Sequence, residues 1–235
     1  MSLAQFFFPA LRSQGCILIL ALFALAHCSA ANGDVLWEAD FSSLEAGPSD
    51  YGKNLVIRQE GDKKILSKQD SETQFIFQAE TKKAGGAKWN NYVYRVCFRE
   101  TDKSTASLVI KIGGERPEVA YMQYYVGFSQ KTVGVTCHGL AKDLLVGDPR
   151  RQAQMTFEEL AQPPVTSGDW ITAEVTVGED VVKVSIDAGD QVIRVAEFKI
   201  LPGSGSVALL ARSPIDIASA SVRDAGEIVL PTPTK

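Results

Sequence analysis

The stretch "VLWEADF" carries two carboxylates at alternating positions, Glu38 and Asp40. In an extended strand, residues i and i+2 point the same way. The pair could therefore face one cleft as the acid and the nucleophile of glycosidic-bond cleavage. No third acid follows on that strand, because Ser42 and Ser43 come next, and a solvated edge or a capped turn fits the same residues. Glu174, on a later strand, is the other carboxylate open to such a role. His138 is the only histidine after residue 27, which excludes a multi-histidine metal site and leaves a Ser-His-Asp triad only this one residue. Asp40, Asp187, Asp190 and Asp224 are candidate ligands for calcium, although no loop has the acid density of an EF-hand. Calcium aside, the sequence calls for no cofactor.

A binding chemistry is offered by four segments, "NYVYRVCFR", "ASLVIKI", "YMQYYVGF" and "TVGVTCH". If Tyr94, Val96 and Phe98 face a core, Arg95 and Arg99 face out. If Leu108, Ile110 and Ile112 face in, Lys111 faces out. With Met122, Tyr124, Val126 and Phe128 inward, Tyr121, Gln123 and Tyr125 point outward, joined by Thr136 and His138 of the next strand. A simple antiparallel meander of the four segments puts all of these on one sheet face. Aromatic rings suit the C–H faces of sugars, while Arg and Gln hydrogen-bond hydroxyls or carboxylates. Trp89, with Asn90 and Asn91 beside the loop at Gly85-Gly86, would line the rim. The same residues are also ordinary on a strand surface, where cross-strand pairs stabilise a sheet without any ligand. In this meander Cys97 and Cys137 stand three strands apart, roughly 14 Å, and point to opposite faces. A disulfide needs Cα atoms within about 7 Å, so the meander argues against a bond, while another strand order would still allow one.

The elements that must position these residues read as strands. "NLVIRQEGDKKILSK" predicts a hairpin turning at Gly61-Asp62, and "TQFIFQA" a further strand. The second half gives "WITAEVTV", "VVKVSIDA", "VIRVAEF", "GSVALLA" and "IDIASASV". Ile171, Ala173, Val175 and Val177 alternate with Thr172, Glu174 and Thr176, so one face is buried and the other wet. Gly178-Glu179-Asp180 predicts a short turn between two of these strands. The stretch from Gly139 to Asp169 breaks this period, and "MTFEELA" within it predicts a short helix capped by Thr156 and stopped by Pro163-Pro164. The fold class is all-β: a two-sheet antiparallel β-sandwich with one partly helical long loop.

The 235 residues are 45% hydrophobic with a formal charge of −4, which suits a packed globule and disfavours a nucleic-acid surface. "CILILALFALA" is shorter than a membrane span needs and is followed by small residues. Residues 1–31 are read as a signal peptide cleaved near Ala30 or Ala31. "LAHC" approaches a lipobox at Cys28, but His27 stands where Gly or Ala is expected, which argues against a lipid anchor. Residues 32–224 form the domain and 225–235 a C-terminal tail. No membrane span remains after cleavage, and the expected location is secreted, periplasmic or cell-envelope.

"GDWITAEVTVGEDVVKVSIDAGDQVIRVAEF", followed by "GSGSVALLARSPIDIASASVRD", resembles the second half of concanavalin A-like lectin/glucanase domains of the laminin-G-like jelly-roll type. "VLWEADF" and "NYVYRVCFR" resemble their opening and central strands. The resemblance spans residues 34 to 224. A bacterial relative of this shape is the 3-keto-disaccharide hydrolase family, from which the chain departs at Ala188-Gly189-Asp190, where that family often has Asn-Gly. The resemblance implies a jelly roll whose concave sheet face takes the ligand. Three functions stay open. One is non-catalytic carbohydrate binding through Tyr121, Gln123, Tyr125, Arg95, Arg99 and Trp89. The others are glycoside or 3-keto-glycoside hydrolysis, and a structural or interaction module of the cell envelope.

Overall fold

The computed structural model describes residues 33–100, 106–113, 119–128, 132–141, 155–159, 168–188, 191–200 and 202–226. The signal segment and the tail beyond residue 226 lie outside the described residues, as do most of the long loop and the side chains of 119–124, 127–128, 132–141, 155–159, 187–188 and 191–199. Among the described residues no helix is long and apolar enough to cross a membrane.

The strands form two antiparallel sheets, as the alternation predicts. One has the order β13 (Gln191–Lys199), β12 (Val181–Ala188), β11 (Ile171–Val177), β6 (Tyr92–Glu100), β15 (Ile215–Asp224), β4 (Lys63–Lys68), β3 (Leu55–Glu60) and β2 (Gly47–Pro48), while β1 (Val35–Ala39) also pairs with β15. The other runs β10 (Met155–Glu159), β9 (Thr132–Ala141), β8 (Val119–Phe128), β7 (Ser107–Gly113), β14 (Gly205–Ala211) and β5 (Gln74–Ile76). The hairpin between β3 and β4 turns at Gly61-Asp62, where Gly61 adopts φ 58°, a conformation that favours glycine. β11 follows the predicted faces, with Ile171, Ala173, Val175 and Val177 buried and the residues between them half-exposed. Its partner β6 buries Tyr92, Tyr94, Val96 and Phe98 in the same core, which the second sheet closes with Leu108, Ile110, Val207 and Leu209.

Two expectations fail on pairing. The four first-half segments are not one meander: β6 pairs with β11 and β15, whereas β7, β8 and β9 belong to the opposite sheet. Strand alternation fixes which residues share a face but not which distant strand becomes the neighbour. Cys97 and Cys137 are consequently on different sheets, and Cys97 is a free, half-exposed thiol opposite Thr172 and Ser219. Met155–Glu159 is a strand paired with β9, so the predicted helix is overridden by pairing. The strand expected in "TQFIFQA" stops at Ile76. Phe77 then turns into the left-handed region (φ 70°) and opens a short helix, α1 (Gln78–Lys83).

Lys111 is the sharpest local departure. It was expected to face solvent, yet it is 0% exposed and has φ 55°. The register of β7 against β14 shifts between Ser206 and Ala208, a β-bulge that breaks the alternation beside it. Lys111 Nζ donates to the carbonyls of Gly178 (3.2 Å) and Glu179 (2.9 Å) in the β11–β12 turn, so its ammonium ties the two sheets together. Its backbone N–H donates to the Tyr92 hydroxyl at 3.2 Å. After the bulge Ile112 joins Val109, Ala208 and Leu210 in a second apolar cluster on the outer side of the six-stranded sheet, rather than the core where it was expected.

Candidate functional site

The outer face of the six-stranded sheet is organised by cross-strand register. Tyr125 lies opposite Val109 on one side and Thr136 on the other, and Gln123 lies opposite His138. Tyr121 lies opposite Leu140, next to a register shift. The backbone thus places Tyr121, Gln123 and Tyr125 beside Thr136 and His138, while the side chains of Tyr121 and Gln123 lie outside the described residues. Tyr125 is half-buried and packs on Val109, Ile112, Ala208 and Leu210. Its ring meets Phe75 edge-on, with centroids 6.4 Å apart.

Phe75 is a candidate that sequence reasoning missed. It lies opposite Leu210 on the edge strand β5 and is 40% exposed, unusually wet for a phenylalanine. The run Phe75-Ile76-Phe77 is apolar throughout and shows no clear period, and only the structure separates exposed Phe75 from buried Ile76 and Phe77. The row that starts at Phe75 continues through Leu210, Ser107, Gly127 and Gly134. Two adjacent strands therefore carry no side chain there, one step along β8 from Tyr125. The arrangement is a pair of aromatic rings with glycines on the two strands beyond Ser107.

The arginines are elsewhere. Arg99 lies on the outer face of the nine-stranded sheet, opposite Asp216. Its Nε and Nη2 donate to Asp216 Oδ2 (3.0 and 2.8 Å), and its Nη1 and Nη2 donate to the two Glu60 oxygens (2.9 and 2.5 Å). Arg58 Nη2 and Ser67 Oγ each donate to Asp216 Oδ1 at 2.7 Å, and Gln69 Nε2 donates to Ser67 Oγ. The Arg99 guanidinium stands 4.6 Å from the Trp170 ring centroid. Asp216 is 1% exposed. Burial pulls its carboxyl upward, but the bonds from Ser67 and Arg99 and the charge of Arg58 outweigh this and hold it below the usual range. Arg99 is in turn held more firmly charged, chiefly by Glu60.

The remaining candidates separate from both faces. Arg95 lies opposite Glu174 and Ser221 on the nine-stranded sheet. Trp89 is not on a rim: it is 8% exposed and packs edge-on against Tyr92 inside the core. Asp40 follows the end of β1 and accepts from Ser42 N (2.8 Å) and Ser42 Oγ (2.6 Å), which lower its pKa. That is the turn cap, not a raised general acid. Glu38 lies opposite Ser221. Asp224 accepts from Gly226 N at 2.8 Å, while Asp190 and the Asp187 side chain lie outside the described residues. Among the described residues no three His, Cys, Asp or Glu side chains converge on a metal position.

One carboxyl is shifted strongly. Glu100 ends β6 opposite Ile215 and accepts from the Ala106 N–H. Burial raises it to about 7 despite that bond.

No family model matches the sequence, and no curated protein matches it. Similar solved structures include sheep galectin-11 in complex with glycerol, with TM-score 0.40 and 11% identity over 65% of this chain and 97% of that one. The VIP36 exoplasmic/lumenal domain bound to Ca2+ and Man3GlcNAc gives TM-score 0.40 and 13% identity over 77% of this chain and 84% of that one. Bacteroides ovatus xyloglucan PUL GH43B gives TM-score 0.41 and 11% identity over 80% of this chain and 39% of that one. At TM-scores near 0.4 the likeness carries no argument about ligand or activity.

Proposed function

We propose that this is a secreted or periplasmic carbohydrate-binding β-sandwich protein without catalytic activity, and that it binds on the outer face of the six-stranded sheet. Tyr125 and Phe75 stack on the sugar, and Tyr121 and Gln123 supply flanking polar contacts. The observation that carries the reading is the exposed Phe75 ring paired with Tyr125 on a packed sheet face. Leaving a phenylalanine this wet forfeits a good part of the roughly 1.5–3 kcal/mol its burial would contribute. A ligand's apolar face restores part of that loss. The two carboxylates best spaced for hydrolysis do not form a matched pair, because Asp40 is occupied by its own turn. Binding in this reading needs no metal, so EDTA leaves it unchanged.

A glycan array with the purified protein tests the proposal. Phe75→Ala and Tyr125→Ala should each weaken binding to the best glycan at least tenfold, about 1.4 kcal/mol. Absence of binding to any glycan, or full binding by both variants, overturns it.

A further inference from the structure

The nine-stranded sheet carries a second patch that the tyrosine face does not use. Its lower layer is Asp216, which is 1% exposed and receives four hydrogen bonds from Ser67, Arg58 and Arg99. A buried carboxylate with charged partners contributes little net stability compared with apolar residues of the same volume. What it does well is hold two guanidinium groups in fixed orientations, as the supporting layer of a binding site does.

The upper layer is what these groups present to water. Arg58 and Glu60 stand at i and i+2 on β3, so they share the outer face about 7 Å apart along the strand. The Arg58 side chain is 45% exposed and gives one N–H to Asp216, from a group that has five. The Glu60 side chain is 42% exposed, and each of its oxygens accepts one bond from Arg99, leaving further lone pairs. Half-exposed Trp170 lies under the Arg99 guanidinium at the side of the patch.

We infer that this patch is a second binding site, built for a neutral polyol whose adjacent hydroxyls are held between Arg58 and Glu60. Two cations and two anions make the cluster neutral, so it does not select by net charge. It offers a fixed donor edge beside a fixed acceptor edge. A hydroxyl both donates and accepts and can use both edges, whereas a carboxylate or phosphate on Arg58 would meet the charge of Glu60. With sites on both sheets the protein is bivalent and bridges two glycan chains, with the avidity that two linked sites confer.

The test titrates purified protein with methyl α-mannoside, methyl β-galactoside and methyl β-glucoside, with galacturonate as the anionic control, following heat and tryptophan fluorescence. At least one neutral glycoside should bind at this patch and change tryptophan emission. Arg58→Gln and Glu60→Gln should each weaken that component at least tenfold without moving the melting temperature by more than about 3 °C, and Tyr125→Ala should leave it intact. Wild-type affinity in both variants, or binding of galacturonate in preference to every neutral glycoside, overturns the inference. If Tyr125→Ala removes all binding, the second site is refuted and the tyrosine face stands. If Arg58→Gln removes all binding and Tyr125→Ala none, the reverse holds.

Discussion

Glu100 makes the stability of this protein depend on pH near neutrality. Burial lifts its carboxyl from 4.5 to about 7, so the folded state binds a proton that the unfolded chain releases. Its contribution is fully present below pH 4.5 and is lost as pH rises to 7. The full shift corresponds to a ceiling of about 3 kcal/mol. Glu100 is only half-buried, and solvent screening reduces this to about 1–2 kcal/mol. In Glu100→Gln the amide oxygen still accepts from the Ala106 N–H, but nothing ionises. Thermal and urea unfolding at pH 5 and pH 8 should show wild type losing about 1–2 kcal/mol, roughly 3–6 °C, across that interval. The variant should be nearly flat and the more stable protein at pH 8. The carboxyls of Asp216 and Asp70 sit below 3.8, so their contributions are lost only at lower pH and do not blur the result. A variant as pH-dependent as wild type, or less stable at pH 8, would refute the reasoning.

Other consequences follow from the packing. Asp216→Ala strands Arg58 and Arg99 without their shared anchor and should cost about 3–5 kcal/mol in urea unfolding at pH 7. Lys111→Ala removes the ammonium that ties β7 to the Gly178 and Glu179 carbonyls and leaves a void, with an expected loss of about 2–4 kcal/mol by the same measurement. Gly205→Ala places a Cβ 2.2 Å from the carbonyl carbon of Lys111, a backbone clash that neither strand can relieve, so the variant should fail to fold and should be recovered as insoluble protein. Cys97 is free, so alkylation of the native protein followed by intact-mass measurement should show the label on Cys97 without prior reduction.

Much of the sandwich was legible because the strand period reports burial. Ile171 to Val177 declared its two faces, and Gly61-Asp62 declared its turn. Partner choice was not legible. Val93 to Phe98 reads the same whether its neighbour is the next strand or β15, more than a hundred residues later. That ambiguity separated Arg95 and Arg99 from the tyrosines with which they had been grouped. Trp89 sits beside glycines, a rim signal, yet its ring turns inward. The helical look of Met155–Glu159 gave way to pairing with β9, and the bulge at Lys111 has no sequence signature of its own. Phe75 was hidden in an apolar run where period two is hard to see.

The central claim is that the Phe75–Tyr125 face takes sugar. Backbone amide NMR of the purified protein, titrated with the best array glycan, tests it most directly. The account predicts saturable shifts concentrated on β5, β7 and β8, and their loss in Phe75→Ala. Saturable binding that leaves those three strands unmoved would contradict it.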